Sequence, residues 1–107
     1  MSYFDLYGFH SSGLSDAKLK VETALGVQFT FGHGDYAGRY CRYADADNVQ
    51  FRVRPNYNEE EEDYEEPEFQ SYPFLLYVSN ATRERAIEVE SLLTNQSGVR
   101  LLRREDL

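Results

Sequence analysis

The chain has 107 residues, 41% of them hydrophobic and 28% charged, which suits one domain with one core. Its formal net charge of −8 argues against general nucleic-acid binding, which needs a net basic footprint, and favours a cationic partner attracted at long range. A single cysteine, Cys41, excludes an internal disulfide, and nine tyrosines are more than a core of this size needs, so some are expected at the surface.

The opening residues Met1-Ser2-Tyr3-Phe4-Asp5-Leu6 precede the first basic residue, Lys18, by a long way, unlike a signal peptide. The longest apolar run, Phe74 to Val78, is too short to span a bilayer. A cytoplasmic protein with no membrane contact is expected. A first helix is predicted over about Asp16 to Leu25, with Ser15 as N-cap and Leu14 and Leu19 at the spacing of a hydrophobic staple. Ala17, Val21, Ala24 and Leu25 form its apolar stripe, and Gly26 ends it.

Three strands should follow. Val27, Phe29 and Phe31 alternate with Gln28, Thr30 and Gly32, and Gly32-His33-Gly34-Asp35 reads as a turn. Gly38 to Tyr43 is a second strand and Asp45 to Asn48 a second turn. Val49, Phe51 and Val53 alternate with Gln50, Arg52 and Arg54 in the third, completing an antiparallel meander. Residues 56–72 form a long connection, whose glutamates repel one another and keep it extended and mobile. A fourth strand, Phe74 to Val78, is continuously apolar and so expected at the centre of the sheet. A second helix runs from about Ala81 to Asn95, capped by Asn80, with Ala86, Val89, Leu92 and Leu93 facing inward. Val99 to Leu102 is the fifth strand, parallel to the fourth through a right-handed crossover. The expected fold is α+β in the order α-β-β-β-β-α-β: a mixed, mainly antiparallel five-stranded sheet packed with two helices, in one domain over residues 1–107. The triplets Asn80-Ala81-Thr82 and Asn95-Gln96-Ser97 read as helix-end chemistry and not as glycosylation sites.

Candidate chemistry is sparse. Gly32-x-Gly34-x-x-Ala37 fits a loose dinucleotide fingerprint, but a strand follows it where a helix is required, so a glycine-rich hairpin is the better reading. His10, His33 and Cys41 lack metal-site spacing, and Asp45-x-Asp47 lacks the glycine and terminal glutamate of a calcium loop, so no metal and no cofactor are expected. Ser11 or Ser12 with His10, or Cys41 with His33, have no nucleophile-elbow motif around them, and no catalytic residue is assigned. Arg39, Arg42, Arg52 and Arg54 interleave with Tyr40, Tyr43 and Phe51, as on a basic, aromatic sheet that binds RNA. No RNP-like motif accompanies them, so they read as solvated strand faces with some arginines paired to nearby carboxylates.

The strongest feature is acidic. Glu59, Glu60, Glu61, Glu62, Asp63, Glu65, Glu66 and Glu68 fall within ten residues and carry the whole net charge, leaving 11 acidic and 11 basic residues elsewhere. Tyr57, Tyr64 and Phe69 lie in or beside the run, and purely solubilising segments are poor in aromatics. Tyrosine is enriched where interfaces are tightest. The run from Glu59 to Glu66 is therefore the expected partner-binding site, with Tyr57, Tyr64 and Phe69 as anchors.

The chain resembles the small cytoplasmic immunity proteins of bacterial contact-dependent and polymorphic toxin systems. The resemblance rests on Tyr3-Phe4-Asp5-Leu6-Tyr7-Gly8-Phe9, on Ala24-Leu25-Gly26 and on Pro73-Phe74-Leu75-Leu76-Tyr77-Val78, together with the small α+β build and the concentrated acidity. It implies a stoichiometric inhibitor, monomeric when free, that blocks a cognate basic toxin, often a nuclease, through an acidic phosphate-like surface. The alternatives are an acidic adaptor module without a toxin partner, an RNA-binding protein and a hydrolase. A neighbouring toxin gene, co-purifying nucleic acid, or a pocket with a perturbed carboxylate or thiol would separate them.

Overall fold

Seven residues at the N-terminus, Tyr3–Phe9, set the architecture as strand β1. A computed structural model describes residues 2–34, 38–96 and 98–107. After β1 come α1 (Leu14–Leu25), β2 (Thr30–Gly34), β3 (Gly38–Ala44), β4 (Gln50–Pro55), the short strands β5 (Tyr57–Asn58) and β6 (Asp63–Tyr64), and a 3-10 turn (Pro67–Phe69). Then follow β7 (Phe74–Ala81), α2 (Arg83–Thr94) and β8 (Arg100–Asp106). Six strands form one sheet in the order β2-β3-β4-β7-β1-β8, with antiparallel pairing between neighbours, while β5 and β6 form a separate ribbon.

This overturns the five-stranded sheet in the order α-β-β-β-β-α-β. Among the described residues there are eight strands in two sheets; β1, β5 and β6 are the three not expected, and β1 is the one that changes the order of the main sheet. It lies between β7 and β8, antiparallel to both, so the expected parallel pair is split by a third strand. β1 escapes a period-two reading because both its faces are covered. Leu6 and Gly8 point one way, Tyr7 and Phe9 the other, and all four are buried.

Both helices lie on the same side of the sheet. Ala17 and Val21 of α1 and Ala86, Val89 and Leu93 of α2 close over Tyr7, Phe9, Cys41, Phe51, Val53, Leu76 and Val78. Each large side chain so buried contributes about 1.5–3 kcal/mol. α1 begins at Leu14, two residues earlier than expected, with Gly13 as N-cap and its carbonyl accepting from Ala17 N–H at 2.9 Å. Ser15 is therefore inside the helix, and Leu19 is exposed to solvent, so no staple forms. Gly26 adopts φ 69, as its place past the helix end requires. Glu22 accepts from Phe29 N–H at 2.7 Å and pairs with Lys18, tying the helix end to the chain that enters β2.

Strand β2 starts later than expected: Phe29 is buried ahead of it, Phe31 is exposed, and Gly32 to Gly34 continue the strand. Asp35 and Ala37, which complete the expected turn and fingerprint, lie outside the described residues. The pairing runs on to Gly34 with Gly38, so β2 and β3 are antiparallel neighbours as expected, but Gly32, His33 and Gly34 lie in the strand and not in the turn expected over Gly32 to Asp35. Helix α2 is capped by the Thr82 hydroxyl, which accepts from Arg85 N–H at 3.2 Å, because Asn80 and Ala81 still belong to β7. Leu92, expected inside, is 40% exposed. Asn95 is the C-cap, and Ser97 lies outside the described residues.

The order β4-β7-β1-β8 gathers a buried ion pair. Asp5, 4% exposed, accepts from Nε and Nη2 of Arg104 on the facing strand at 2.9 and 2.8 Å. Arg104 also pairs with Glu90 of α2 at 3.0 Å, which locks the helix to the sheet edge; the hydrogen-bonded Asp5 carboxylate first, and Glu90 after it, push the guanidinium pKa up. Among the described residues no helix is long and apolar enough to cross a membrane.

Candidate functional site

The helix-free face of the sheet positions the acidic segment. Strand register puts Arg42, Arg52 and Arg54 on that face with Tyr40, Leu6, Leu75 and Tyr77. Part of it is covered by residues 56–72, which fold back over β7 and β1. Gly8 is needed there because a Cβ would stand 2.7 Å from the Tyr72 ring and from Leu102.

Asn56 fastens this fold-back. It is fully buried, and its side-chain amide donates to the carbonyls of Phe69 at 2.9 Å and Tyr72 at 3.1 Å, with a longer contact to Glu66 at 3.4 Å. Its Oδ1 accepts from Glu66 N–H at 2.9 Å, and its backbone bonds Pro73 and Glu65 at 2.9 and 2.7 Å. One side chain thus satisfies the polar groups of an otherwise irregular stretch. Asn58 does the same for the hairpin tip: its Oδ1 accepts from Glu60 N–H at 2.9 Å and Glu61 N–H at 3.4 Å, an Asx turn that starts the four-residue loop Glu59 to Glu62. The loop closes with Glu62 at φ 53, a left-handed conformation costly for a residue with a Cβ.

The connection expected to be without secondary structure is therefore a ribbon followed by a 3-10 turn. It also divides the expected site in two. Glu59, Glu60, Glu61, Glu62 and Asp63 are exposed at the tip. Glu65 and Glu66 turn inward: Glu65 takes Nη2 of Arg54 at 2.7 Å and the Asn58 amide at 2.9 Å. Glu66 accepts from the Tyr77 hydroxyl at 2.9 Å and from Arg103 at 2.8 Å. Burial first, and then the Glu66 carboxylate, push the Tyr77 phenol well above its ordinary pKa. The pairing of Arg54 with a nearby carboxylate is the arrangement expected for the strand arginines.

Tyr57 and Tyr64 face each other across the ribbon, ring centroids 5.2 Å apart and edge to face. Tyr57 is 44% exposed. Phe69 is separate from this pair, half-buried in the 3-10 turn. A recess of about 320 Å³ lies beside the ribbon, between Tyr57, Asn58, Glu59 and Glu60 on one side and His33, Gly38 and Arg39 on the other. Glu60 approaches His33 Nε2 at 3.9 Å across it.

Cys41 is fully buried on the helix side, and burial pushes its thiol up to about 11, the reverse of an activated nucleophile. Among the described residues no three His, Cys, Asp or Glu side chains gather as metal ligands. Sequence reasoning missed Asn56 and Asn58, the residues that build the site. The near-symmetric Tyr57-Asn58 and Asp63-Tyr64, four residues apart, is the signal that marks them as a hairpin. Neither protein-family models nor curated proteins compared with the chain match it.

Proposed function

We propose that this chain is a stoichiometric protein-binding inhibitor of the immunity type, which acts in the cytoplasm of its producer on a basic, nuclease-like toxin. The observation that carries the reading is the built acidic hairpin: Glu59 to Asp63 project from a ribbon whose base is pinned by Asn56, Asn58 and the Arg54–Glu65 pair. A surface held in shape before binding loses less conformational freedom on association, so more of its interaction energy becomes affinity. Five exposed carboxylates steer a cationic partner and stand where phosphates would stand in its site. Tyr57, ring exposed and braced by Tyr64, supplies the apolar anchor that charge alone lacks.

The test uses two baits, the wild-type protein and the variant Glu59→Gln/Glu60→Gln/Glu61→Gln/Glu62→Gln, with lysate from the producing cells. The expected result is a basic protein retained by the wild type and lost with the variant. That protein should be toxic when expressed alone and harmless when co-expressed with the chain. Equal retention on both baits contradicts the role of the hairpin. A retained partner that is harmless by itself points to an adaptor and contradicts the inhibitor.

A further inference from the structure

On the helix-free face, beside the acidic segment, lies a groove of about 450 Å³, lined by Arg42, Arg52, Arg54, Tyr77, Ser79 and, from the acidic segment, Glu65, among others. Strand register places Arg42 directly opposite Arg52, so two guanidinium stems rise side by side, about 5 Å apart at their Cβ atoms. Like charges facing each other across a sheet destabilise it, and neighbouring carboxylates normally relieve them. Here they do not. Glu65 is engaged with Arg54 and Glu66 with Tyr77 and Arg103, while among the described residues neither Arg42 nor Arg52 makes an ion pair. Two excess positive charges therefore sit in a concave site on a protein whose net charge is −8.

We infer that this groove is a binding site for a small ligand carrying a phosphoryl group, held between the guanidinium groups of Arg42 and Arg52. Paired guanidinium forks match the geometry and charge of a phosphate, and the resulting bonds are charge-assisted. Arg52 is held for this task by stacking on the Tyr40 ring, 4.5 Å from its centroid, which fixes the side chain without neutralising it. Gly32 permits that stack, because a Cβ there would stand 2.7 Å from the Tyr40 ring. Ser79 and Gln50, directly opposite each other on β7 and β4, add polar groups beside the arginines. The volume is in the range of small-ligand sites. A nucleic-acid strand fits less well: the Tyr40 face is already occupied by Arg52, so that ring is not an open stacking platform. The exposed tip, Glu59 to Asp63, does not line this groove, so the proposal stands whether or not that tip binds a protein.

The test is an NMR titration of isotopically labelled protein with inorganic pyrophosphate at constant ionic strength. The backbone amides of Arg42, Arg52, Tyr77 and Ser79 are expected to shift and saturate. Arg42→Gln and Arg52→Gln should each weaken binding about tenfold or more. Arg83→Gln, which removes the same charge from the exposed first turn of α2, should leave it unchanged, and all three variants should keep a cooperative thermal melt. Shifts that do not saturate, that map elsewhere, or that persist in both groove variants overturn the site. An eight-nucleotide single strand that binds more than about a hundredfold tighter than pyrophosphate and adenosine monophosphate overturns the small-ligand assignment.

Discussion

Replacing Asn56 by alanine should unfasten the acidic segment from the sheet. The change deletes three hydrogen bonds of ordinary length, to the Phe69 and Tyr72 carbonyls and from Glu66 N–H, and one longer contact at 3.4 Å. Each ordinary bond contributes about 0.5–1.5 kcal/mol net, and the deserted backbone groups remain in a buried place, so the loss comes to about 3–4 kcal/mol. That is a large share of the roughly 5–15 kcal/mol that holds a small domain folded. With a urea slope of about 2 kcal/mol per molar, the unfolding midpoint should fall by about 1.5–2 M. If the segment opens locally first, a Glu-specific protease reports it. In the wild type, cleavage should be confined to the exposed glutamates from Glu59 to Glu62; in Asn56→Ala it should spread to Glu65 and Glu66. A midpoint shift below about 0.5 M together with an unchanged cleavage pattern would refute the view that Asn56 holds the segment in place.

Three further outcomes follow from the same geometry. Arg104→Ala strands the Asp5 carboxylate in the interior and should lower stability by about 3–5 kcal/mol, measured by urea unfolding; a loss below about 1 kcal/mol would show that the pair is not an effectively buried one. Burial raises Cys41 from 9.0 to about 11 and lifts Tyr7 and Tyr77 above their ordinary value as well. Groups raised in the folded state favour folding while they stay protonated in both states. The urea midpoint should therefore hold at pH 7–8 and fall as pH rises from about 9 towards 11, whereas a flat profile to pH 11 would contradict the burial of these groups. Glu62→Gly removes the cost of a Cβ at φ 53 and should raise stability by roughly 0.5–1 kcal/mol, visible as a higher melting temperature; a lower one would mean that the left-handed turn is not a source of strain.

Where sequence pattern and burial agree, the fold was legible. Phe51 and Val53 alternate with polar neighbours because β4 has one face on the core and one towards solvent over most of its length, and Val49, just ahead of it, is buried in the same phase. Ala17 and Val21, and Ala86, Val89 and Leu93, fall at helical spacing and are buried. The pattern failed where an element is covered on both sides or held by polar groups. In β1, the Asp5 carboxylate sits among apolar residues because Arg104 arrives from the far end of the chain, a pairing no local window contains. The hairpin was hidden in the same way. Glutamate has little strand propensity, and the ribbon exists because Asn56, Asn58 and Arg54 supply partners from outside the run. Composition identified the acidic residues as a group, but it could not separate the exposed Glu59 to Asp63 from the inward Glu65 and Glu66. That division depends on Tyr77, Arg54 and Arg103 waiting on the sheet.

The proposed inhibitor stands or falls on how the hairpin tip takes part in binding, and association kinetics read this most directly. With the captured partner, rates for the wild type and for Glu59→Gln/Glu60→Gln/Glu61→Gln/Glu62→Gln are measured at two salt concentrations. Solvent-exposed charges act mainly on encounter, so the variant should associate about tenfold more slowly or worse, with a flattened salt dependence and a nearly unchanged dissociation rate. Tyr64→Ala, which removes the brace behind Tyr57, should instead speed dissociation by the equivalent of about 2 kcal/mol. Unchanged rates for the four-residue variant at both salt concentrations would contradict the account and leave the acidic tip without a part in binding.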